Sequence, residues 1–336
     1  MRSQLRCRRS TSSSLGPKVP LSRVLSHKFG GPAAAAGTTT TIVSARPRAR
    51  ALHVVRPTAQ TGGVENTGEL TLMAVHAHPD DEAIGTGGIL ARYAAEGART
   101  VLVTCTNGEQ GDDAGGVKPG EPTHDPQAVA ATRLAELHKA AEYLGITHLE
   151  LLGYRDSGMA GWTANADPRV FGNVPLSEAA ARLADLMRHY RPQVVVTYDE
   201  NGGYGHPDHI QAHRVAVAAT VSSGIPSKLY YAAISRSGFE QIREMLRASG
   251  SEIPEMDELP ADFGTPDEKI TTVVDVSGYV DVKLQALAAH ASQTENFFLT
   301  RLPPDVVTLM MSREHFTLRA APPGMSGEDD LFAGLR

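Results

Sequence analysis

The chain carries the pattern of a buried strand running into a helix at Leu70-Thr71-Leu72-Met73-Ala74-Val75-His76-Ala77-His78-Pro79-Asp80-Asp81-Glu82. Its first eight residues are mostly apolar, which is typical of a strand covered on both faces of a sheet. Pro79 fixes the turn that follows, and an acidic first helical turn comes next. Histidines and acids therefore stand at the point where the strand ends and the helix begins.

The same alternation continues along the chain. Short apolar runs predict further strands at 100–106, 148–152, 193–198, 228–234, 270–276 and 315–318. Amphipathic stretches predict helices at 84–93, 131–144, 177–187, 242–246 and 280–291, with one more after 303. Because parallel strands need crossovers that are usually helical, we expect an α/β fold. Its sheet should be doubly wound, mostly parallel and Rossmann-like, with helices on both faces.

Composition divides the 336 residues into two parts. Residues 1–66 hold nine arginines, two lysines and one acid, a net charge of +10, so residues 67–336 carry −16. We expect a disordered basic extension over 1–66 and one globular domain over 67–336. The acidic body argues against nucleic acid as a partner, and the longest apolar runs are too short for a membrane span.

Only two cysteines occur, Cys7 and Cys105, which leaves no disulfide framework and favours a reducing compartment. We therefore expect a cytoplasmic protein. The basic, hydroxyl-rich composition of 1–66 also suits an organelle transit peptide, so import is the alternative, beside a plain solvated tail.

A second cluster, His206-Pro207-Asp208-His209, follows a predicted strand and the glycine-rich turn 201–205. In an open α/β sheet, loops at the carboxyl ends of strands converge on one crevice, so this cluster and 76–82 should form a single site. Imidazole and carboxylate groups suit zinc or an iron-group ion. A second carboxylate beside such an ion serves as a general base for water. An ion site and a general base together indicate hydrolysis.

Each cluster alone has a structural explanation. A lone histidine at a strand end is usually a hydrogen-bonded core residue, and paired aspartates often cap a helix. Two clusters that each follow a strand and contain a proline-fixed turn favour an active site. A non-catalytic nucleotide-binding module, suggested by the glycines of 85–88, is a remote alternative because the first turn has no GxGxxG pattern.

His78–Glu82 after one strand and Asn201–His209 after another resemble the LmbE-like or PIG-L-like family of metal-dependent de-N-acetylases. The similarity is greatest to the branch that acts in mycothiol metabolism, and it covers nearly everything after residue 69. It implies a hydrolase that removes an acetyl group from an N-acetylglucosaminyl-type substrate. An amidase that cleaves mycothiol-type thiol conjugates is the alternative within the family. The partner is then a small acetamido sugar or a thiol conjugate, and the oligomeric state stays open.

The resemblance also implies roles for particular residues. A Zn²⁺ or Fe²⁺ ion, one per chain, would be held by His78, Asp81 and His209, with Asp80 as the general base. His206 would stabilise the developing oxyanion or protonate the leaving amine.

Three further residues complete the expected site. The resemblance implies substrate contacts from Arg133 and Asp156, although a surface arginine and a simple turn are the ordinary readings of these positions. The Tyr204 hydroxyl is a candidate hydrogen-bond donor to the substrate carbonyl in the transition state, with packing against its own loop as the alternative. At 83–85 the chain has Ala-Ile-Gly where several mycothiol-pathway members have small polar side chains.

Overall fold

The computed structural model describes residues 69–250, 253–257, 259–260, 262–294, 298–321 and 328–336. The predicted disordered extension over 1–66 lies outside these residues. The division of the chain into an extension and a domain therefore stays a prediction.

The described residues form one seven-stranded sheet in the order β3-β2-β1-β4-β5-β7-β6. The strands are β1 Thr71–His76, β2 Arg99–Thr106, β3 His148–Tyr154, β4 Val194–Thr197, β5 Lys228–Ala233, β6 Thr272–Asp275 and β7 Arg313–Ala320. Strands β1 to β5 are parallel, whereas β7 runs antiparallel to both β5 and β6. The predicted α/β class and mostly parallel sheet are confirmed.

The helices connect these strands. They are α1 Asp81–Gly85, α2 Gly87–Ala95, α3 Pro126–Leu144, α4 Leu176–Tyr190, α5 Gly202–Gly205, α6 Pro207–Ser223, α7 Arg236–Ala248, α8 Pro254–Asp257, α9 Val280–Ala289, α10 Ala291–Thr294 and α11 Pro304–Met311. Two predicted helices are interrupted. The first breaks at Thr86, whose backbone leaves helical dihedrals, and the predicted helix 280–291 breaks at His290. The side chain of Thr86 contacts the buried His76, and the side chain of His290 contacts the buried Glu82.

Apolar cores cover both faces of the sheet. Along β1, Leu72 and Ala74 belong to one core, while Met73 and Val75 belong to the other. Helices α2, α3, α7 and α9 pack on the first face, and α4 and α6 on the second. Side chains of a strand alternate between faces, so a strand covered on both sides must be apolar throughout, as β1 is.

The strand order reverses direction beside β1. From β1 the chain adds β2 and β3 on one side, and then returns to place β4 and β5 on the other. Loops leaving β1 and β4 therefore diverge to opposite faces and open a crevice at the carboxyl edge, where such sheets bind ligands. Both histidine clusters lie in these two loops. No helix in the described ranges is long and apolar enough to cross a membrane.

Candidate active site

Asp80 sits at the turn between β1 and α1 in a left-handed backbone conformation, with φ 111° and ψ −30°. A non-glycine residue in such a region costs on the order of 1–3 kcal/mol and persists only where its surroundings hold it. Its amide donates to Oε2 of Glu82 at 3.0 Å, and its Oδ2 accepts from Nη2 of Arg133 at 3.0 Å. The backbone and the side chain of Asp80 are thus held by separate partners.

The three predicted metal ligands meet. Nδ1 of His78 lies 3.3 Å from Nε2 of His209, and these nitrogens lie 3.4 Å from Oδ2 and Oδ1 of Asp81, respectively. Both histidines are buried and the side chain of Asp81 is 15% exposed. Residues 131 positions apart in the chain therefore bring two ring nitrogens together, and each nitrogen faces a different oxygen of the Asp81 carboxylate.

The opposite nitrogen of each ring explains why these donors face one another. Nδ1 of His209 contacts the carbonyl oxygen of Gly202 at 3.2 Å, and Nε2 of His78 contacts Oδ2 of Asp208 at 3.2 Å. Both contacts require the ring nitrogen to donate, which leaves the inward nitrogen of each neutral ring with a lone pair. Two lone pairs and a carboxylate oxygen at this spacing repel one another unless a cation or a proton lies between them.

The negative charge of the carboxylates around His78 also favours a bound cation. Burial alone lowers the pKa of His78, but neighbouring carboxylates outweigh it and raise the pKa well above its ordinary value. These carboxylates belong to Asp156, Asp208 and Asp81. The site gathers more negative charge than Arg133 alone balances.

The donor set fits a zinc-type ion. Ligand atoms about 2.1 Å from one tetrahedral ion lie about 3.4 Å from each other, which matches the separation of the two ring nitrogens and that of Nε2 of His209 from Oδ1 of Asp81. Two nitrogens and one carboxylate oxygen also leave a coordination position for water or substrate. Two groups of three side chains have donor atoms that all lie within 4.8 Å of one another, and both groups include His78. These groups are His78, His206 and His209, and His78, Asp156 and Asp208.

His206 differs from the other two histidines because it caps helix α6. Its Nδ1 accepts the amide proton of Asp208 at 3.1 Å, so the proton of the neutral ring sits on Nε2. Burial, together with the neighbouring His78 and His209, lowers the pKa of His206 to about 3, which keeps the ring neutral at pH 7. The residue is thus arranged as a hydrogen-bond donor beside the two facing rings.

Arg133 and Asp156, the two expected substrate contacts, are both buried. The guanidinium of Arg133 donates to the carbonyl oxygens of Gly108 at 2.7 Å and Pro79 at 2.6 Å, besides Asp80. Oδ1 of Asp156 accepts from the amide of Gly158 at 2.7 Å and lies 3.5 Å from Nε2 of His78. Both side chains therefore support the site from within the protein.

Tyr204 lies over the histidines, with its ring centroid 5.0 Å from that of His209 and 6.2 Å from that of His206. The glycines around it let the loop approach the site. A Cβ on Gly202, which has φ +62°, would lie 2.6 Å from Cβ of His209, so this position admits glycine alone without a shift.

Asp80 has the environment of a base. Burial raises its pKa to about 6, against the lowering effect of the Arg133 guanidinium. Such a carboxylate is ionised near neutral pH and still accepts a proton more readily than an ordinary aspartate.

Three contributors were missed from the sequence. Tyr198, directly after β4, donates to Oδ2 of Asp81 and stacks on His209 with ring centroids 4.2 Å apart. Ser157 donates to Asp208 through both its amide and its hydroxyl. His290 contacts Glu82 from a distant helix end. The position of Tyr198 at a strand end was a usable signal, whereas nothing local marks His290.

Comparisons with known proteins agree with the expected family. Residues 73–220 match the family model PIG-L, described as GlcNAc-PI de-N-acetylase. A 1D-myo-inositol 2-acetamido-2-deoxy-alpha-D-glucopyranoside deacetylase of Acidothermus cellulolyticus is 44% identical over 281 residues, spanning 79% of this chain and 95% of the relative. A protein of the same name from Salinispora arenicola is 43% identical over 294 residues, spanning 79% and 91%.

A solved structure shares the fold. The deacetylase of the teicoplanin biosynthesis pathway, in its complex with bog, has a TM-score of 0.51 and 18% identity, and the match covers 76% of this chain and 100% of that one. The family resemblance predicted from the two clusters is confirmed by the full-length relatives. The chain belongs to the PIG-L family of GlcNAc-PI de-N-acetylases.

Proposed function

We propose that this protein is a metal-dependent hydrolase that removes the acetyl group from an N-acetylglucosaminyl-type substrate, as an N-acetylglucosaminyl-inositol deacetylase does. The observation that carries the proposal is the meeting of His78, Asp81 and His209 beside an independently held carboxylate, Asp80. The name of the two relatives, 1D-myo-inositol 2-acetamido-2-deoxy-alpha-D-glucopyranoside deacetylase, supports the sugar-inositol substrate.

His78, Asp81 and His209 would hold the ion, one Zn²⁺ or Fe²⁺ per chain. When bound, such an ion polarises a carbonyl oxygen and lowers the pKa of water from about 15.7 towards 7. A small acetamido sugar is the proposed substrate, and a cytoplasmic location is part of the same proposal.

The chain's own residues carry the proton transfers. Asp80 accepts a proton from the attacking water, whose oxygen adds to the acetamide carbon. The Nε2–H of His206 donates a hydrogen bond to the oxyanion that develops there, and the Tyr204 hydroxyl is the second candidate donor. When the C–N bond breaks, the proton taken from water passes to the leaving nitrogen, so the products are acetate and an amine.

Arg133 and Asp156 complete the proposal as substrate contacts. Arg133 contacts Asp80 and Asp156 contacts His78, and both side chains are buried, so a polar substrate group would have to reach them through the crevice. Arg133 also keeps the Asp80 carboxylate in one orientation, a role visible without substrate.

Asp80→Asn tests the central assignment. Loss of a general base lowers the rate by about 10² to 10⁴, so this variant should bind metal at parental stoichiometry and lose deacetylation to that extent. His209→Ala should instead lose the metal itself. Full activity of Asp80→Asn on every acetamido substrate that the parent hydrolyses would overturn the assignment.

A paired substrate assay separates the two family activities. The parent protein is given an N-acetylglucosaminyl-inositol and, separately, a thioether conjugate of a mycothiol-type thiol, and the amine released from each is measured. Faster release from the free acetamido sugar supports the proposal. Release from the conjugate alone would favour the amidase.

A further inference from the structure

The left-handed backbone of Asp80 depends on a buried chain of two side chains. Oε2 of Glu82 accepts the Asp80 amide at 3.0 Å, and Oε1 of the same carboxylate lies 2.6 Å from Nε2 of His290. Glu82 and His290 are both fully buried. One carboxylate therefore joins the backbone of the proposed base to a ring from the break between α9 and α10.

Among the described residues, Glu82 is the one hydrogen-bond partner of the His290 ring. Its Nδ1 is buried without a hydrogen-bond partner, so Nε2 provides the ring's one polar contact there. Leaving a buried ring nitrogen without a hydrogen-bond partner costs free energy. An apolar side chain would fill the same space without that cost. His290 lies at the break that follows Ala289, with φ −83° and ψ 51°.

The corner that carries His290 is anchored to the rest of the site. Ser292 donates to both carboxylate oxygens of Glu136 on α3, the helix that also carries Arg133. Gln293 donates to the carbonyl oxygen of Asp112 at 2.9 Å, in the long loop between β2 and α3. The ring is therefore fixed relative to the helix that holds the Asp80 side chain.

A buried carboxylate needs a partner on each oxygen, and His290 supplies the one that the backbone does not. With Oε1 occupied by the ring, Oε2 stays directed at the Asp80 amide. Without the ring, Glu82 is free to rotate, and the contact that favours the left-handed conformation weakens. Asp80 would then be held by the contact of its carboxylate with Arg133 alone.

We propose that His290 is a positioning residue for the base Asp80, and that it acts through Glu82. This inference rests on the proposed function, in which Asp80 accepts the proton of the attacking water. Arg133 orients the side chain, and the Glu82–His290 pair fixes the backbone from which that side chain extends.

Three variants of one position test the inference. His290→Gln places an amide donor near the position of ring Nε2 and retains the contact with Glu82. His290→Leu removes the donor, and His290→Asn keeps a polar group that is too short to reach Glu82. Thr294→Val is the matched control, because this buried threonine bonds to backbone oxygens of the same corner and not to Glu82.

The expected result is a loss confined to turnover. Misplacing a catalytic group by about 1 Å can cost up to about 10²-fold, so kcat should fall about 10- to 100-fold in His290→Leu and His290→Asn. KM and bound metal should stay within about twofold of the parent. His290→Gln should recover most of the loss, and Thr294→Val should keep the parental kcat even if its melting temperature falls. Parental kcat in folded His290→Leu or His290→Asn, or no recovery in His290→Gln, would overturn the inference.

A crystal structure of each variant gives a readout that needs no substrate. Asp80 should leave its positive φ in His290→Leu and His290→Asn and keep it in His290→Gln. If it keeps a positive φ in all three, the positioning role is wrong whatever the protein hydrolyses. An inactive parent with the expected changes at Asp80 would instead count against the proposed function alone.

Discussion

The hydroxyl of Tyr198 lies 2.7 Å from Oδ2 of Asp81 and donates its proton there. The same oxygen of Tyr198 accepts the amide of Ala77 at 2.8 Å, so its direction is fixed by the end of β1. The hydroxyl thus joins the carboxyl ends of β1 and β4 across the crevice. It also leaves Oδ1 of Asp81 turned towards His209.

Tyr198→Phe should weaken metal binding. Loss of a hydrogen bond that orients a ligand typically costs about 10- to 100-fold in metal affinity, and Asp81 would lose this orienting donor. The measurement is the zinc dissociation constant by competition with a chelating dye. Tyr154→Phe is the control, because the buried Tyr154 hydroxyl has no hydrogen-bond partner among the described residues. Equal affinities for the two variants would contradict the orienting role.

Arg133→Met should move the acid limb of the pH–rate profile to higher pH. The proposed base works as a carboxylate, so the rate falls as the pH drops through the pKa of Asp80. Burial raises that pKa to about 6 and Arg133 opposes the rise, so losing the guanidinium raises the pKa further. The pH dependence of kcat/KM reports the shift. Arg92→Met, which removes a surface arginine paired with Glu96, should leave the profile in place.

Gly202→Ala should destabilise the protein and disturb His209 together. The position has φ +62°, and a Cβ there would lie 2.6 Å from Cβ of His209 and 2.8 Å from the amide nitrogen of Ile210. Strain at a positive φ alone costs about 1 kcal/mol, and the clash adds to it. Gly203→Ala meets no neighbour within 4 Å, but its φ +74° and ψ −67° form a strained γ-turn of its own. Urea unfolding should show that both variants are less stable, whereas metal analysis should show a larger loss of bound metal at 202 than at 203.

Glu314→Gln should be more destabilising than Lys283→Met. Oε1 of the buried Glu314 lies 2.6 Å from Nζ of the buried Lys283, and its two oxygens also accept the amides of Gly88 and Ile89 at the start of α2. Removing one partner of a buried ion pair costs about 3–5 kcal/mol. In Lys283→Met the carboxylate keeps both amides, so the loss should be smaller. Equilibrium unfolding of the two variants measures the order, and the reverse order would show that the lysine is stabilised elsewhere.

Strand identity followed from local composition because β1, β2, β4 and most of β5 are buried on both faces of the sheet. The predicted runs at 100–106 and 228–234 differ from the observed strands by one residue at one end. Helix ends were harder, since the breaks at Thr86 and His290 arise from contacts with His76 and Glu82 that no local pattern contains. The antiparallel entry of β7 between β5 and β6 is likewise a long-range pairing.

The chemistry of the site was foreseeable to a similar extent. The positions of the two clusters predicted that they form one site, because both follow strands of one sheet at its carboxyl edge, and the family resemblance implied His78, Asp81 and His209 as the ligands. Asp208 was also expected to orient a ligating histidine, and it contacts the outer nitrogen of His78, but the same reasoning did not show that Arg133 is buried against Asp80. A ring's tautomer is set by whatever meets its other nitrogen, and that partner comes from elsewhere in the chain.

The sequence by itself determined the α/β class, the two loops that meet and the residue types that suit a cation, because these depend on periodicity and on what each side chain can donate. Only the tertiary structure decided the backbone conformation of Asp80 and the partners that maintain it. Of those partners, Glu82 lies two residues away on α1, whereas Arg133 comes from α3 and His290 from the break after α9. The unfavourable dihedral therefore depends on contacts from segments that are remote in the chain, and folding alone brings those segments together.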